Sequence, residues 1–291
     1  MKVLLAGASG MIGQRLKIQL TTDGHEFRSL TRSPGSDYLW NAQPGSVPAD
    51  ALDWADAVIS LNGVSLTHLP WTKAYRKQIR DSRVEATTAL AQAIAASHNP
   101  PTVWVSGSAV GVYGDCGTMD VDESHPAGRS FLAQVVRDWE GATAPARDVT
   151  RVVLARTGIV LGKDGALKPL ALATRFGLGS KVGSGNQWWP WICLDDEARA
   201  IVFSLVRPEL EGPVNLVGPT PATSEAICGE LAHAMHRPYL FRLPSSLIRT
   251  VMSGADELLL NSQKVHPAHL LDTGFTFTYR TAEEAVDALW G

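Results

Sequence analysis

The chain has 291 residues, 45% of them hydrophobic and 19% charged, an ordinary globular composition long enough for a large core and one annexed subdomain. A net charge of −3 and a pI near 6.2 supply no uniform positive field for nucleic acid or an anionic membrane, so the expected partner is a small molecule. Three scattered cysteines, Cys116, Cys193 and Cys228, form neither a disulfide framework nor a metal spacing, and no apolar run is long enough for a signal-peptide core or a membrane span, so a cytoplasmic location is expected.

In chain order, Val3–Ala6, Ala57–Leu61, Thr102–Val105 and Arg151–Ala155 are short apolar runs rich in β-branched residues and read as interior parallel strands. Helical spacing runs over Met11–Thr22, Trp71–Ser97 and Ser130–Ala144. The alternation predicts an α/β protein with a Rossmann-type, doubly wound parallel sheet. The strands run into small or polar residues: Gly7-Ala8-Ser9-Gly10, Asn62-Gly63, Ser106-Gly107-Ser108 and Arg156-Thr157-Gly158. Ligands of such sheets bind at that edge, where small residues admit a cofactor to the backbone. Beyond Gly162 a glycine-rich loop, three tryptophans (Trp188, Trp189, Trp191) and a proline-punctuated tail predict a smaller C-terminal substrate lobe, 163–190 with 218–291. Residues 1–162 are then the nucleotide domain, with Trp191–Leu194, a helix Glu197–Val206 and a strand Val214–Val217 returning to complete its sheet.

Gly7-Ala8-Ser9-Gly10-Met11-Ile12-Gly13 is a GxxGxxG loop between the first strand and the first helix, the arrangement that lays a pyrophosphate on a helix N-terminus. The second strand, Glu26–Leu30, leads into Thr31-Arg32-Ser33 in place of the acid that would hold the ribose hydroxyls of NAD. A guanidinium with two hydroxyls suits a 2′-phosphate, so NADP(H) is the expected cofactor.

The loop, Leu30-Thr31-Arg32, Ser60-Leu61-Asn62-Gly63, Asp81-Ser82-Arg83-Val84, Ser106-Gly107-Ser108 with Val112-Tyr113-Gly114-Asp115, Asp138-Trp139-Glu140, Arg156-Thr157-Gly158 and Asp195-Asp196 occur in one order. Together they resemble the extended short-chain dehydrogenase/reductase superfamily, in its atypical, nucleoside-diphosphate-sugar epimerase-like branch. The resemblance implies an NADP-binding domain with a C-terminal lobe closing over the nicotinamide. It sets Thr31 and Arg32 at the 2′-phosphate, Ser60 to Gly63 along adenosine and pyrophosphate, and Arg83 reaching in from the long helix; a plain helix-surface charge is the other reading of Arg83. Ser106 to Ser108 and Arg156 to Gly158 would bound the reaction space. Two long helices resemble those of a four-helix homodimer interface in extended relatives.

Active members of the wider superfamily usually use a Tyr-x-x-x-Lys pair whose lysine lowers the phenol's pKa. This chain has none: counted back from Glu140, the two positions are Leu132 and Val136. Ser108 and Tyr113 are the remaining candidates for polarising a carbonyl and donating a proton. Lys168 and Gln187 are candidates for the substrate side, while Asn186 and Cys193 stand where relatives often have Arg and His. No metal is assigned to the histidine pairs His233/His236 and His266/His269, and Asp195-Asp196 reads as a helix N-cap. The sequence thus reads as an NADP(H)-dependent oxidoreductase or epimerase-like enzyme, or else as a non-catalytic NADP(H) sensor.

Overall fold

Strand β1 (Lys2–Ala6) shows why its run is apolar throughout: Val3 and Leu5 enter one core layer, Leu4 and Ala6 the opposite one, all fully buried. A strand covered on both faces has no polar side to alternate with. The computed structural model describes residues 1–252 and 254–291. From β1 the chain continues through α1 (Met11–Thr22), β2 (Glu26–Thr31), β3 (Tyr38–Leu39), α2 (Ala49–Trp54), β4 (Ala57–Ser60), α3 (Lys73–Ala96) and β5 (Val103–Ala109). Next come a short β6 (Asp120–Val121), α4 (Phe131–Gly141) and β7 (Arg151–Thr157).

At Gly158 the chain leaves the sheet. A Cβ there would lie 2.2 Å from the Pro190 carbonyl oxygen, so only glycine lets these two backbones approach. β8 (Ile159–Leu161), α5 (Lys168–Arg175), β9 (Gly179–Val182), β10 (Trp188–Trp189) and β11 (Trp191–Cys193) follow, then α6 (Leu194–Val206) and β12 (Gly212–Leu216). The remainder comprises β13 (Ala222–Thr223), α7 (Ser224–Ala234), β14 (Tyr239–Leu243), α8 (Ser245–Met252), α9 (Glu257–Leu260), β15 (Lys264–Val265), α10 (Ala268–Asp272) and α11 (Ala282–Trp290).

The seven-stranded parallel sheet has the order β12-β7-β5-β4-β1-β2-β3, the doubly wound α/β arrangement expected. Helices α1 and α6 contribute Leu16, Leu20, Ile201 and Leu205 to one covering layer, and α3 contributes Leu90 and Ile94 to the other. Two expectations change. β12 does join the sheet, beside β7, but Trp191–Cys193 pairs with Ile159–Leu161 in a separate two-stranded sheet. β5 also extends to Ala109, so Ser106, Gly107 and Ser108 lie within the strand and not past its end.

Around β8 to β14 a second apolar cluster gathers Leu161, Val182, Trp189, Trp191, Ile227, Leu231 and Val286. No helix among the described residues is long and apolar enough to cross a membrane.

Candidate functional site

The C-terminal ends of β1, β2 and β4 border a cavity of about 830 Å³. Its floor is the glycine loop: Gly7, Ala8, Ser9 and Gly10 line it, while Met11, Ile12 and Gly13 form the first turn of α1 and do not. Gly7 has φ of +90°, and a Cβ there would come within 2.9 Å of the Leu61 carbonyl. No side chain caps α1, which leaves its positive end for an anion. Gly13 is buried against the loop, and its Cβ would lie 2.3 Å from the Gly7 carbonyl oxygen. Gly13→Ala is therefore expected to displace the loop and abolish nucleotide binding in a fluorescence titration; unchanged affinity would show that this contact yields.

Thr31, Arg32 and Ser33 line the cavity at the end of β2, with the Ser33 amide donating to Thr31 Oγ1 at 3.1 Å. Arg32 is exposed and forms no hydrogen bond or ion pair among the described residues. The nearby acid is already used: Asp37 accepts from the Ser29 amide at 2.7 Å and the Ser29 hydroxyl at 2.9 Å, bonds that hold its pKa below the usual carboxylate value. Lys17 and Gln14 of α1 line the same cavity, residues that the sequence reading did not single out. Across it, Leu61, Asn62 and Gly63 line the end of β4, and Asn62 Oδ1 is a buried acceptor without a partner among the described residues. Buried acceptors are normally satisfied, so this orphan suits a donor on a bound ligand.

Besides Met11, Ile12 and Gly13, the residues expected along the cofactor that do not line this cavity are Ser60, Arg83, Ser106, Gly107, Arg156, Thr157 and Gly158. Ser60 is buried, and its Oγ accepts from Trp104 Nε1 at 2.9 Å. Arg83 turns its guanidinium to the carbonyls of Ile79 and Val64 at 3.0 and 3.2 Å, close beneath Gly63. Burial lowers its pKa to about 10. It supports the Gly63–Val64 loop from below, so it neither lines the cavity as a cofactor residue nor stands as a helix-surface charge.

The second group of predicted residues forms a buried polar network. Ser108 donates to Glu140 Oε1 at 2.6 Å, and Arg156 grips the same carboxylate through Nε at 2.8 Å and Nη2 at 3.0 Å. The fork-to-fork pair is nearly buried, with the two side chains 10% and 12% exposed. Arg156 Nη1 also donates to the Tyr113 hydroxyl at 2.9 Å, which in turn donates to Asn215 Oδ1 at 2.7 Å. Burial raises the Tyr113 pKa to about 12 against the opposing pull of Arg156. A phenol so held is a structural tyrosine, and the proton-donor role expected of it does not fit this placement. Arg156 is likewise engaged inside the protein, not presented to a ligand. Ser106 and Gly107 are buried in β5, with Gly107 against the ring of Trp139, and Thr157 donates to Glu197 Oε1 at 2.7 Å.

The two positions of the missing dyad are apolar in space as well. Leu132 packs against the buried cluster of Trp71, Ile79, Val135 and Ala255, and Val136 lies in one with Val112 and Tyr113. Lys168 pairs with Asp164 in its own loop, and Gln187 donates to the carbonyls of Val182 and Leu259, tying its loop to α9. The indoles of Trp189 and Trp191 are buried and donate to Leu259 and Thr220 carbonyls. Asp195 pairs with Arg15, and Asp196 accepts from the amides of Thr278 and Tyr279, so neither caps α6, whose N-cap is Cys193. His266 Nε2 meets Asp120 at 2.6 Å, and His269 Nδ1 meets the Pro213 carbonyl at 2.9 Å.

Glu140 served the sequence reading only as a landmark, and Glu197 escaped it. The signal for Glu197 was its register: it precedes Ile201 and Leu205 by one and two turns of a buried stripe.

Comparison with known proteins agrees with the architecture. The model of the NAD dependent epimerase/dehydratase family matches residues 3–217, and a domain of unknown function (DUF1731) matches residues 243–289. An epimerase family protein of Mycobacterium leprae is 40% identical over 98% of this chain and 94% of its own length. The crystal structure of a human epimerase family protein with NADPH superposes with a TM-score of 0.90 at 32% identity, covering 99% of each chain. A nucleoside-diphosphate sugar epimerase from Corynebacterium glutamicum superposes at 0.82 with 34% identity, over all of this chain and 58% of that one. On the family match across most of its length, and on relatives similar to it from end to end, the chain belongs to the NAD-dependent epimerase/dehydratase family.

Proposed function

We propose that this protein binds NADP(H) in the glycine-loop cavity and acts as an NADP(H)-dependent oxidoreductase or epimerase-like enzyme on a small substrate. The observation that carries the nucleotide choice is the end of β2, where Arg32 stands free beside Thr31 and Ser33 and the neighbouring Asp37 is bound to Ser29. The residues present fit the cofactor: a glycine floor that a Cβ would fill, an uncapped helix end, and the orphan acceptor of Asn62. Gly7 to Gly10 would hold the pyrophosphate and Arg32 the 2′-phosphate, and the bound nicotinamide would supply or accept a hydride. The NADPH in the human relative's structure supports the same choice.

A charge-assisted hydrogen bond contributes roughly 1.5–3 kcal/mol, so Arg32→Ala is expected to weaken NADPH binding by about ten- to a hundredfold and leave NADH nearly unchanged. Side-by-side fluorescence titrations test this. Equal losses for both nucleotides would remove the argument for a 2′-phosphate site.

With Tyr113 engaged, Ser108 is the hydroxyl this reading assigns to the reacting oxygen. Ser108 is buried with its proton directed at Glu140, so serving a carbonyl oxygen requires that this proton turn from Glu140 to the substrate. Ser108→Ala is expected to lower the rate of hydride transfer at least about a hundredfold with nucleotide affinity unchanged. A second reading, a non-catalytic NADP(H)-binding sensor, is favoured by the apolar Leu132 and Val136 and by the buried Tyr113. Stereospecific transfer of deuterium from labelled NADPH to any acceptor in a carbonyl screen would exclude it.

A further inference from the structure

Charge is unevenly divided along this chain. Residues 165–194 and 231–255 hold six Lys and Arg side chains and no Asp or Glu, so all 29 acids lie elsewhere in a chain of net charge −3. The fold brings the two stretches together. β14 pairs in parallel with β9, setting Arg242 opposite Lys181 and Phe241 opposite Ser180, and α5 leads directly into β9. Glu225 neutralises Lys181 at 2.7 Å, Asp164 meets Lys168 at 2.8 Å, and Asp256 lies 4.0 Å from Arg249. Arg175, Arg237 and Arg242 have no carboxylate at ion-pair distance among the described residues.

The elements that carry these stretches also expose large apolar side chains. Leu240 and Phe241 of β14 are 80% and 51% exposed, and Phe176, just past α5, is 75% exposed. α8 buries Ile248 in the lobe's core, yet Leu247 and Val251, one turn apart on its outer side, are also exposed. A surface helix in water carries one apolar stripe, and a second is explained only by a second apolar neighbour. Leu172 of α5 and Leu178, between α5 and β9, are exposed as well.

Large apolar anchors set among three arginines that no carboxylate pairs among the described residues match the boundary of an anionic bilayer, where rings and aliphatic chains seat below the headgroups and guanidinium groups meet phosphates. We infer that this face of the C-terminal lobe docks the protein peripherally and reversibly on an anionic lipid surface. Net charge does not oppose this, because salt screens charges beyond about 8 Å, so a surface responds to the nearby arginines and not to acids on the far side.

The test is co-sedimentation of the full chain with vesicles of phosphatidylcholine alone or mixed with phosphatidylglycerol, at low and high salt. Binding is expected only to the anionic vesicles and is expected to fall with salt. It should weaken at least about tenfold in Phe176→Ser/Leu240→Ser/Phe241→Ser and, independently, in Arg175→Glu/Arg237→Glu. Circular dichroism and thermal melting verify that each variant is folded, and the charge-reversal pair keeps the test decisive if the serine variant is not. Absence of binding to anionic vesicles overturns the proposal, as does binding that both variants retain. Self-association of the chain that the serine variant abolishes, without lipid binding, also overturns it and makes this face an interface between copies.

Discussion

Glu140→Ala is expected to lower the free energy of unfolding by about 3–5 kcal/mol, because it strands the Arg156 guanidinium in the protein with only the Tyr113 hydroxyl and a carbonyl for company. Burial disfavours the Arg156 charge, but its hydrogen bonds to Glu140 and Tyr113 outweigh that and hold its pKa above the ordinary value. Removing the carboxylate leaves the penalty and deletes the larger compensation. In a domain of this size the loss corresponds to a fall in Tm on the order of 10 °C. Urea unfolding of Glu140→Ala, Arg156→Met and the double variant tests the pair: the double variant should lose clearly less than the two singles combined. Additive losses, or a single loss under about 1 kcal/mol, would mean that water or another donor replaces the partner. Tyr113 and Asn215 hang from the same guanidinium, so the lesion should spread from β7 to β12.

Stability is expected to fall as pH rises from about 5 to 8, and Glu197→Gln is expected to remove much of that slope. Glu197 is fully buried; its Oε1 accepts from Thr157 and its Oε2 has no partner among the described residues. Burial pushes its pKa to about 8, against the smaller opposing effect of the Thr157 hydrogen bond. The folded chain therefore keeps a proton that the unfolded chain releases above its ordinary value near 4.5. Below that value the acid contributes no difference. Through the window to pH 8 stability is lost, by about 3 kcal/mol at neutral pH, and above pH 8 the loss levels off. The positive end of α6 offsets at most about 2 kcal/mol of the burial cost, so the sign stands. Glutamine keeps the bond to Thr157 and exchanges one buried orphan for another. The two proteins should thus be nearly equal at pH 5, with the variant the more stable at pH 8. Parallel urea midpoints at both pH values would show that Glu197 stays ionised or is reached by water.

Both effects arise where local sequence is least informative. The glycine loop could be read directly because its chemistry is local: strand, turn and helix follow within twelve residues of Lys2, and the steric demands on Gly7 and Gly13 come from neighbouring backbone. Thr31-Arg32-Ser33 was readable for the same reason, standing at the end of a strand whose place beside β1 is dictated by the fold. Ser60, Arg83, Arg156 and Tyr113 were not. Tyr113 finds Asn215 across 102 positions and Ser108 finds Glu140 across 32, and nothing in residue type distinguishes a hydroxyl turned to a ligand from one turned to such a partner.

The sequence by itself determined the parallel sheet, the nucleotide loop at its edge, the cation in place of an acid after β2, and the loss of the Tyr-x-x-x-Lys pair. Each follows from periodicity or from contacts between near neighbours, where residue type and spacing fix the physics. Only the tertiary structure decided that Trp191–Cys193 pairs outside the main sheet, that Arg83 and Arg156 bind carbonyls and a carboxylate in the interior, and that two acid-free stretches pair through β14 and β9. Those outcomes depend on which distant groups share a buried volume. There an uncompensated charge costs several kcal/mol, so partners are set by three-dimensional packing and not by position along the chain.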